Sequence, residues 1–159
     1  MQEKQKINIV WFKKDLRTKD QISLFKASQE DLPFIALYIF DEDFYQKKQF
    51  GFRKIGKFRA KFLLESVQNL QHNLAELNIS FLTKFGKTKE IFEKINEHYS
   101  IQKIFCEEEF TQEEVDLEKS IFSVLPHVKF EKSHSQFLLE PDFVWEKLEK
   151  IPALFTTFR

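Results

Sequence analysis

The chain has 159 residues, of which 42% are hydrophobic and 16% aromatic, with 20 phenylalanines. That excludes intrinsic disorder and fits one domain with a phenylalanine-rich core. Its 25 basic and 25 acidic side chains cancel, which excludes a global field for nucleic acid; such a contact needs a local basic patch.

One cysteine, Cys106, rules out a disulfide framework and suits a reducing cytoplasm. Its expected place is the core. The charged start MQEKQK does not read as a signal peptide, and no apolar run is long enough to span a membrane.

INIVWF (Ile7 to Phe12) is short, apolar and rich in β-branched and aromatic residues, the pattern of a buried strand. It breaks into KKDLR with no glycine. Gln21 to Gln29 suits a short helix, with Asp20 as its expected cap. PFIALYIF (Pro33 to Phe40) is a second strand whose continuous apolarity predicts burial on both faces of a parallel sheet.

Asp41 to Ile55 reads as a long loop containing Gly51. Leu63, Val67, Leu70, Leu74 and Leu77 then recur at helical spacing on one stripe. ISFLTKF (Ile79 to Phe85) is a third strand, Ile91, Phe92, Ile95 and Tyr99 mark a helix, and IQKIFC (Ile101 to Cys106) is a fourth strand. TQEE (Thr111 to Glu114) has capping-box spacing and predicts a helix through about Val124. HVKFEK (His127 to Lys132) is a weaker fifth strand. The remainder carries Pro141 and Pro152 and predicts an ordered extension with a short helix near Val144 to Leu148.

Five strand–helix alternations predict an α/β fold: a Rossmann-like, doubly wound five-stranded parallel sheet in order 3-2-1-4-5, helices on both faces. The expected boundaries are 1–135 for the α/β domain and 136–159 for the extension. In that order the winding reverses between strands one and four, and ligands sit at the carboxyl ends there. FKKDLR and EEEF (Glu107 to Phe110) occupy those ends.

With three glycines, none after strand one, there is no dinucleotide fingerprint or P-loop. A carboxylate at the end of strand four suits another ligand, a planar heterocycle with two parallel N–H donors such as a pterin edge. Alternatively Glu107, Glu108 and Glu109 are solvated, or one pairs with Arg17 or Lys14. The four histidines have no metal-site spacing, and Trp11 and Trp145 read as packing residues. The basic run Lys47 to Lys61 reads as a solvated face, or as a nucleic-acid contact.

Several motifs resemble one family. VWFKKDLRTKD (Val10 to Asp20) is similar to the opening of the photolyase/cryptochrome family. GFRKIGKFRAKFLLESVQNLQHNL (Gly51 to Leu74), FGKTKEIFEKI (Phe85 to Ile95) and EFTQEEVDLEKSI (Glu109 to Ile121) resemble segments of cryptochrome DASH, as does the closing FTTFR (Phe155 to Arg159). Lys13 stands where that family usually carries arginine, and Gln21 where asparagine is common.

The resemblance implies an antenna domain that holds a folate, methenyltetrahydrofolate, and passes excitation to FAD in a second, helical domain expected outside this chain. It implies Glu109 as the pterin-edge carboxylate and Phe12, Lys13, Lys14, Asp15 and Leu16 as the strand-one wall. Phe50, Gly51, Phe52, Lys57, Phe58 and Lys61 are expected to flank the crevice. Arg59, Phe62 and Glu65 are expected to pack or to contact the second domain. No catalysis is expected from this domain alone. The parent protein is expected to be a deoxyribodipyrimidine photo-lyase that meets DNA, repairs cyclobutane pyrimidine dimers or signals blue light. The alternative is a free-standing Rossmann-like module for small-molecule binding or protein docking.

Overall fold

β1 (Lys6–Phe12) buries six of its seven residues. Strand alternation sends Ile7, Ile9 and Trp11 into one core and Val10 and Phe12 into another. A strand apolar on both faces has to lie in the middle of a covered sheet. The computed structural model, which describes residues 3–46, 51, 53–137, 141, 144 and 155–158, places it there.

β2 (Phe34–Asp41), β3 (Phe81–Gly86), β4 (Ser100–Glu107) and β5 (Lys129–Ser133) complete a five-stranded sheet in the expected order 3-2-1-4-5. All pairings are parallel. α1 (Ile22–Ser28) and α2 (Lys57–Glu76) cover one face with Leu24, Ala27, Val67, Leu70 and Leu74. α3 (Thr88–His98) and α4 (Gln112–Val124) cover the other with Ile91, Phe92, Ile95 and Ile121. Each fully buried aliphatic or aromatic side chain contributes about 1.5–3 kcal/mol. The helices change face between α2 and α3, so the winding reverses beside β1, as the sequence predicted.

Element ends differ from the sequence reading for local reasons. α2 stops at Glu76 in a Schellman motif: the Ile79 N–H donates to the Leu74 carbonyl and the Asn78 N–H to that of Ala75. Asn78 takes the left-handed conformation this requires, φ 56°. Leu77 therefore leaves the helical stripe and is exposed, and β3 begins two residues later than expected. Asp20 does not cap α1, because its own backbone is left-handed at φ 52°. Gln21 does, its side-chain oxygen accepting the Leu24 N–H at 3.0 Å. The Thr111–Glu114 capping box forms, and α4 ends at Val124.

Pro141 and Val144 are helical, and Phe155–Phe158 makes one further turn. The rest of the expected Val144 to Leu148 helix, with Trp145, lies outside the described residues. No helix among those described is long and apolar enough to cross a membrane.

Candidate functional site

The chain leaves β1 through a turn built by a side chain. The Lys13 N–H donates to Asp15 Oδ1 at 2.9 Å, and the Arg17 N–H to the Asp15 carbonyl at 2.7 Å. This is the short acidic turn that aspartate makes with a neighbouring backbone. Gln21 Nε2 donates to the second oxygen of Asp15 while Gln21 caps α1. One buried pair thus sets both the exit of β1 and the start of the next helix. Burial pushes the Asp15 carboxyl above its ordinary value, against the pull of its backbone donors.

The three glutamates after β4 take three separate roles. Glu107 is buried and accepts the Ser135 N–H at 2.5 Å and hydroxyl at 2.6 Å, which fastens the chain after β5. Glu108 faces Lys132 at 3.7 Å and His134 at 3.0 Å. Glu109 turns into the crevice, only 7% exposed. Its carboxylate lies 3.6 Å from Lys13 Nζ and 3.1 Å from Lys14 Nζ. The carboxylate at the end of strand four and the lysine-paired glutamate, alternatives in the sequence, are one residue.

Lys13 is half-buried, 3.2 Å from Glu118 and 4.9 Å from the centroid of the Trp11 ring. Glu118 also holds Lys132 at 2.6 Å. Lys14, more exposed, bridges Glu109 and Glu114. Burial pushes the Glu109 carboxyl above its ordinary value, and the two ammonium groups offset part of that rise. For Lys14 burial pulls the other way, but its bonds to Glu114 and Glu109 win and raise it.

Between these charges and α2 lies a cavity of about 490 Å³, within the range of small-molecule sites. It crosses the carboxyl ends of β1 and β2. Phe12, Tyr38, Phe40, Phe44, Tyr45 and Phe62 give it aromatic walls; Leu16, Ile55 and Leu63 add aliphatic surface. Glu109, Glu114 and Leu117 close the β4–α4 side, and Arg59 and Ser66 of α2 line the opposite one. Asp41 is occupied structurally, accepting the Thr88 N–H at 3.2 Å and hydroxyl at 2.6 Å. Lys54 spans from the β2–α2 loop to Glu113 at 2.5 Å. Burial also raises the Tyr38 hydroxyl; Tyr45 adds to the rise and Arg59 opposes it.

A wider and more open hollow of about 850 Å³ runs along the outside of α1, between Phe25, Leu77, Ile79 and Phe137. Among the described residues no group of three or more His, Cys, Asp and Glu side chains could hold a metal ion. Cys106 is buried, and its thiol is pushed up to about 12 by that burial.

Of the residues expected at the site, Phe12, Lys13, Lys14, Leu16 and Glu109 line the cavity together. Asp15 lies behind the wall as the brace of its turn. Gly51, at φ 73°, is exposed in the loop before α2. Lys57, Phe58 and Lys61 sit on the first turns of α2 but point outward; Phe58 is 84% exposed. Helical spacing explains this, since Arg59, Phe62, Leu63 and Ser66 take the cavity face. Phe50 and Phe52 lie outside the described residues. The aromatic end of β2 and the turn after it, Tyr38 to Tyr45, were missed as a site. Its signal was its position, because the carboxyl end of a central parallel strand borders the crevice.

The DNA photolyase family model matches residues 8–159. Cryptochrome DASH of Gloeobacter violaceus is 35% identical over 153 residues, covering 95% of this chain and 31% of that protein. Cryptochrome DASH of Synechocystis sp. is 31% identical with the same coverage of each. A crystal structure of Synechocystis cryptochrome superposes with a TM-score of 0.87 at 28% identity, over 99% of this chain and 33% of that one. An archaeal photolyase from Sulfolobus tokodaii, solved with two FAD molecules, shares the fold at a TM-score of 0.69 and 20% identity, over 84% of this chain and 30% of that one. The chain thus spans about a third of the length of these relatives.

Proposed function

The chain belongs to the DNA photolyase family, and from that membership we propose that it is a chromophore-binding antenna domain of the cryptochrome DASH type. The observation that carries this reading is the aromatic cavity at the carboxyl ends of β1 and β2, with the buried carboxylate of Glu109 at one side. A planar conjugated ring stacks on such walls. A carboxylate in a low-dielectric site recognises two parallel N–H donors, as on the pterin edge of methenyltetrahydrofolate. Phe12, Leu16 and Tyr38 wall the ring, Glu109 orients it, and Lys13 favours the charged form of Glu109 against the effect of burial.

In this reading the domain absorbs near-ultraviolet light and passes the excitation to FAD in a helical domain of a parent chain. That parent performs dimer repair on DNA or blue-light signalling, and residues 136–159 form the extension leading toward the helical domain. Residues 1–135 form the α/β domain that carries the cavity's lining residues among those described.

A second reading keeps the cavity and changes the ring. Glu109 is already paired with two ammonium groups, so a flavin, which needs no carboxylate on its edge, fits the aromatic walls equally. The two FAD molecules in the Sulfolobus tokodaii photolyase, described with a light-harvesting cofactor in view, support including it.

The test is titration of the chain with methenyltetrahydrofolate and, separately, with FMN, followed by near-ultraviolet absorbance and fluorescence anisotropy. Saturable folate binding that Glu109→Gln weakens supports the first reading. Flavin binding that ignores Glu109→Gln supports the second. Binding of neither ring overturns both.

A further inference from the structure

We infer that Glu118 is a positioning residue for the cavity carboxylate: it draws the Lys13 ammonium away from Glu109 and leaves Glu109 open to the N–H edge of a ligand. This rests on the folate reading above and adds what controls the acceptor.

Both oxygens of Glu109 face a lysine, Oε1 that of Lys14 at 3.1 Å and Oε2 that of Lys13 at 3.6 Å. A ligand with two parallel N–H donors needs both oxygens. Lys14, its side chain 63% exposed, can turn into water. Lys13 cannot, because its side chain is 9% exposed and its ammonium lies over the Trp11 ring. An ammonium moved there without an acceptor would stay desolvated and unpaired, which is costly.

Glu118 is the acceptor. It is buried on α4 and does not line the cavity. Lys13 Nζ is within hydrogen-bond distance of Glu118 at 3.2 Å and beyond it from Glu109. The other oxygen of Glu118 is held by Lys132 of β5 at 2.6 Å. A lysine has one nitrogen to share, whereas a guanidinium could serve both acids at once. The pull of Glu118 on Lys13 is therefore taken from Glu109.

The charged groups around Glu109 come from three elements: Lys13 and Lys14 at the exit of β1, Glu114 and Glu118 on α4, and Lys132 of β5 behind Glu118. Glu118→Gln removes a like charge and gives Glu109 the whole of Lys13. Both changes favour the ionised carboxylate, so Glu109 releases its proton at lower pH, yet its oxygens are more fully occupied and bind the ligand less well. Lys132→Gln does the reverse. Glu118 then has Lys13 as its remaining cation and draws it harder, so Glu109 holds its proton to higher pH and is freer to accept.

The experiment measures two quantities on the unaltered chain and on both variants: the titration of the Glu109 side-chain carboxyl by carbon-13 NMR without ligand, and the dissociation constant for methenyltetrahydrofolate at neutral pH. Glu118→Gln is expected to lower the titration midpoint and weaken folate about threefold to tenfold. Lys132→Gln, at a half-buried position, is expected to raise the midpoint and tighten folate roughly twofold. In a Lys13→Gln background the effect of Glu118→Gln on affinity is expected to vanish. Weaker binding in both variants, or a loss in Glu118→Gln that persists without Lys13, shows a structural role and overturns the inference; so does an unmoved midpoint in Lys132→Gln should Glu118→Gln fail to fold. Absence of folate binding by the unaltered chain overturns the folate reading and the inference with it.

Discussion

Lys14 Nζ lies 3.1 Å from Glu109 Oε1, so the carboxylate that faces the cavity meets an ammonium group before it meets a ligand. Lys14 is the more exposed partner and is shared with Glu114. A ring edge that binds Glu109 has to displace it. Lys14→Gln is therefore expected to strengthen methenyltetrahydrofolate binding by roughly twofold to fivefold, the range of an exposed ion pair. Fluorescence anisotropy reads this directly, and weaker binding in the variant would show that Lys14 contacts the ligand rather than competes with it.

Glu109→Gln removes one of the two acceptor oxygens and the charge, while keeping the side chain's volume. Loss of a charge-assisted bidentate contact predicts a fall in folate affinity of about tenfold to a hundredfold. The circular dichroism spectrum is expected to stay unchanged, since Glu109 braces no backbone group among its recorded contacts. An unaltered dissociation constant argues that the ring lies elsewhere in the cavity.

Asp15 gives a pH prediction with a definite sign. Its folded value is raised by burial, so just above the ordinary carboxylate value the folded state holds a proton that the unfolded chain has released. Stability then falls as pH rises through that window, from about pH 4 upward. Asp15→Asn keeps an acceptor for the Lys13 N–H and removes the titration. Melting temperatures measured from pH 3.5 to 7 are expected to show a shallower decline in the variant; parallel curves would exclude Asp15 as a source.

Asn8 sits in β1 beside the register shift with β4, fully buried, and both ends of its amide lack a partner among the described residues. An unmade buried hydrogen bond costs on the order of 1–3 kcal/mol. Asn8→Val, which suits a strand facing an apolar core, is expected to stabilise the fold by about 1–2 kcal/mol, a rise of a few degrees in Tm. Thermal unfolding checks it, and a lower Tm would mean that the amide is satisfied in solution.

Much of the architecture was legible because it depends on short-range periodicity. Ile9 to Phe12 and Phe34 to Tyr38 are apolar or aromatic at every position, which only a sheet covered on both faces accommodates. Val67, Leu70 and Leu74 are helical by spacing alone. The errors fell where backbone conformation, rather than hydrophobicity, decides. Asn78 in the left-handed region ended α2 early, and Asp20 in the same region passed the cap to Gln21.

The site divided along the same line. Strand order follows from alternation and handedness, so FKKDLR and Glu109 could be placed at the switch point from sequence. The sequence also excluded a glycine-built phosphate turn. Only the tertiary structure decided that Asp15 braces the turn instead of lining the crevice, and that Glu109 is the inward member of its acidic triplet. It alone decided that α2 offers Arg59 and Phe62, while Lys57, Phe58 and Lys61 face outward. Each of those outcomes depends on how one element is rotated against another. That rotation is set by packing between residues distant in the chain, which no local pattern of residues records.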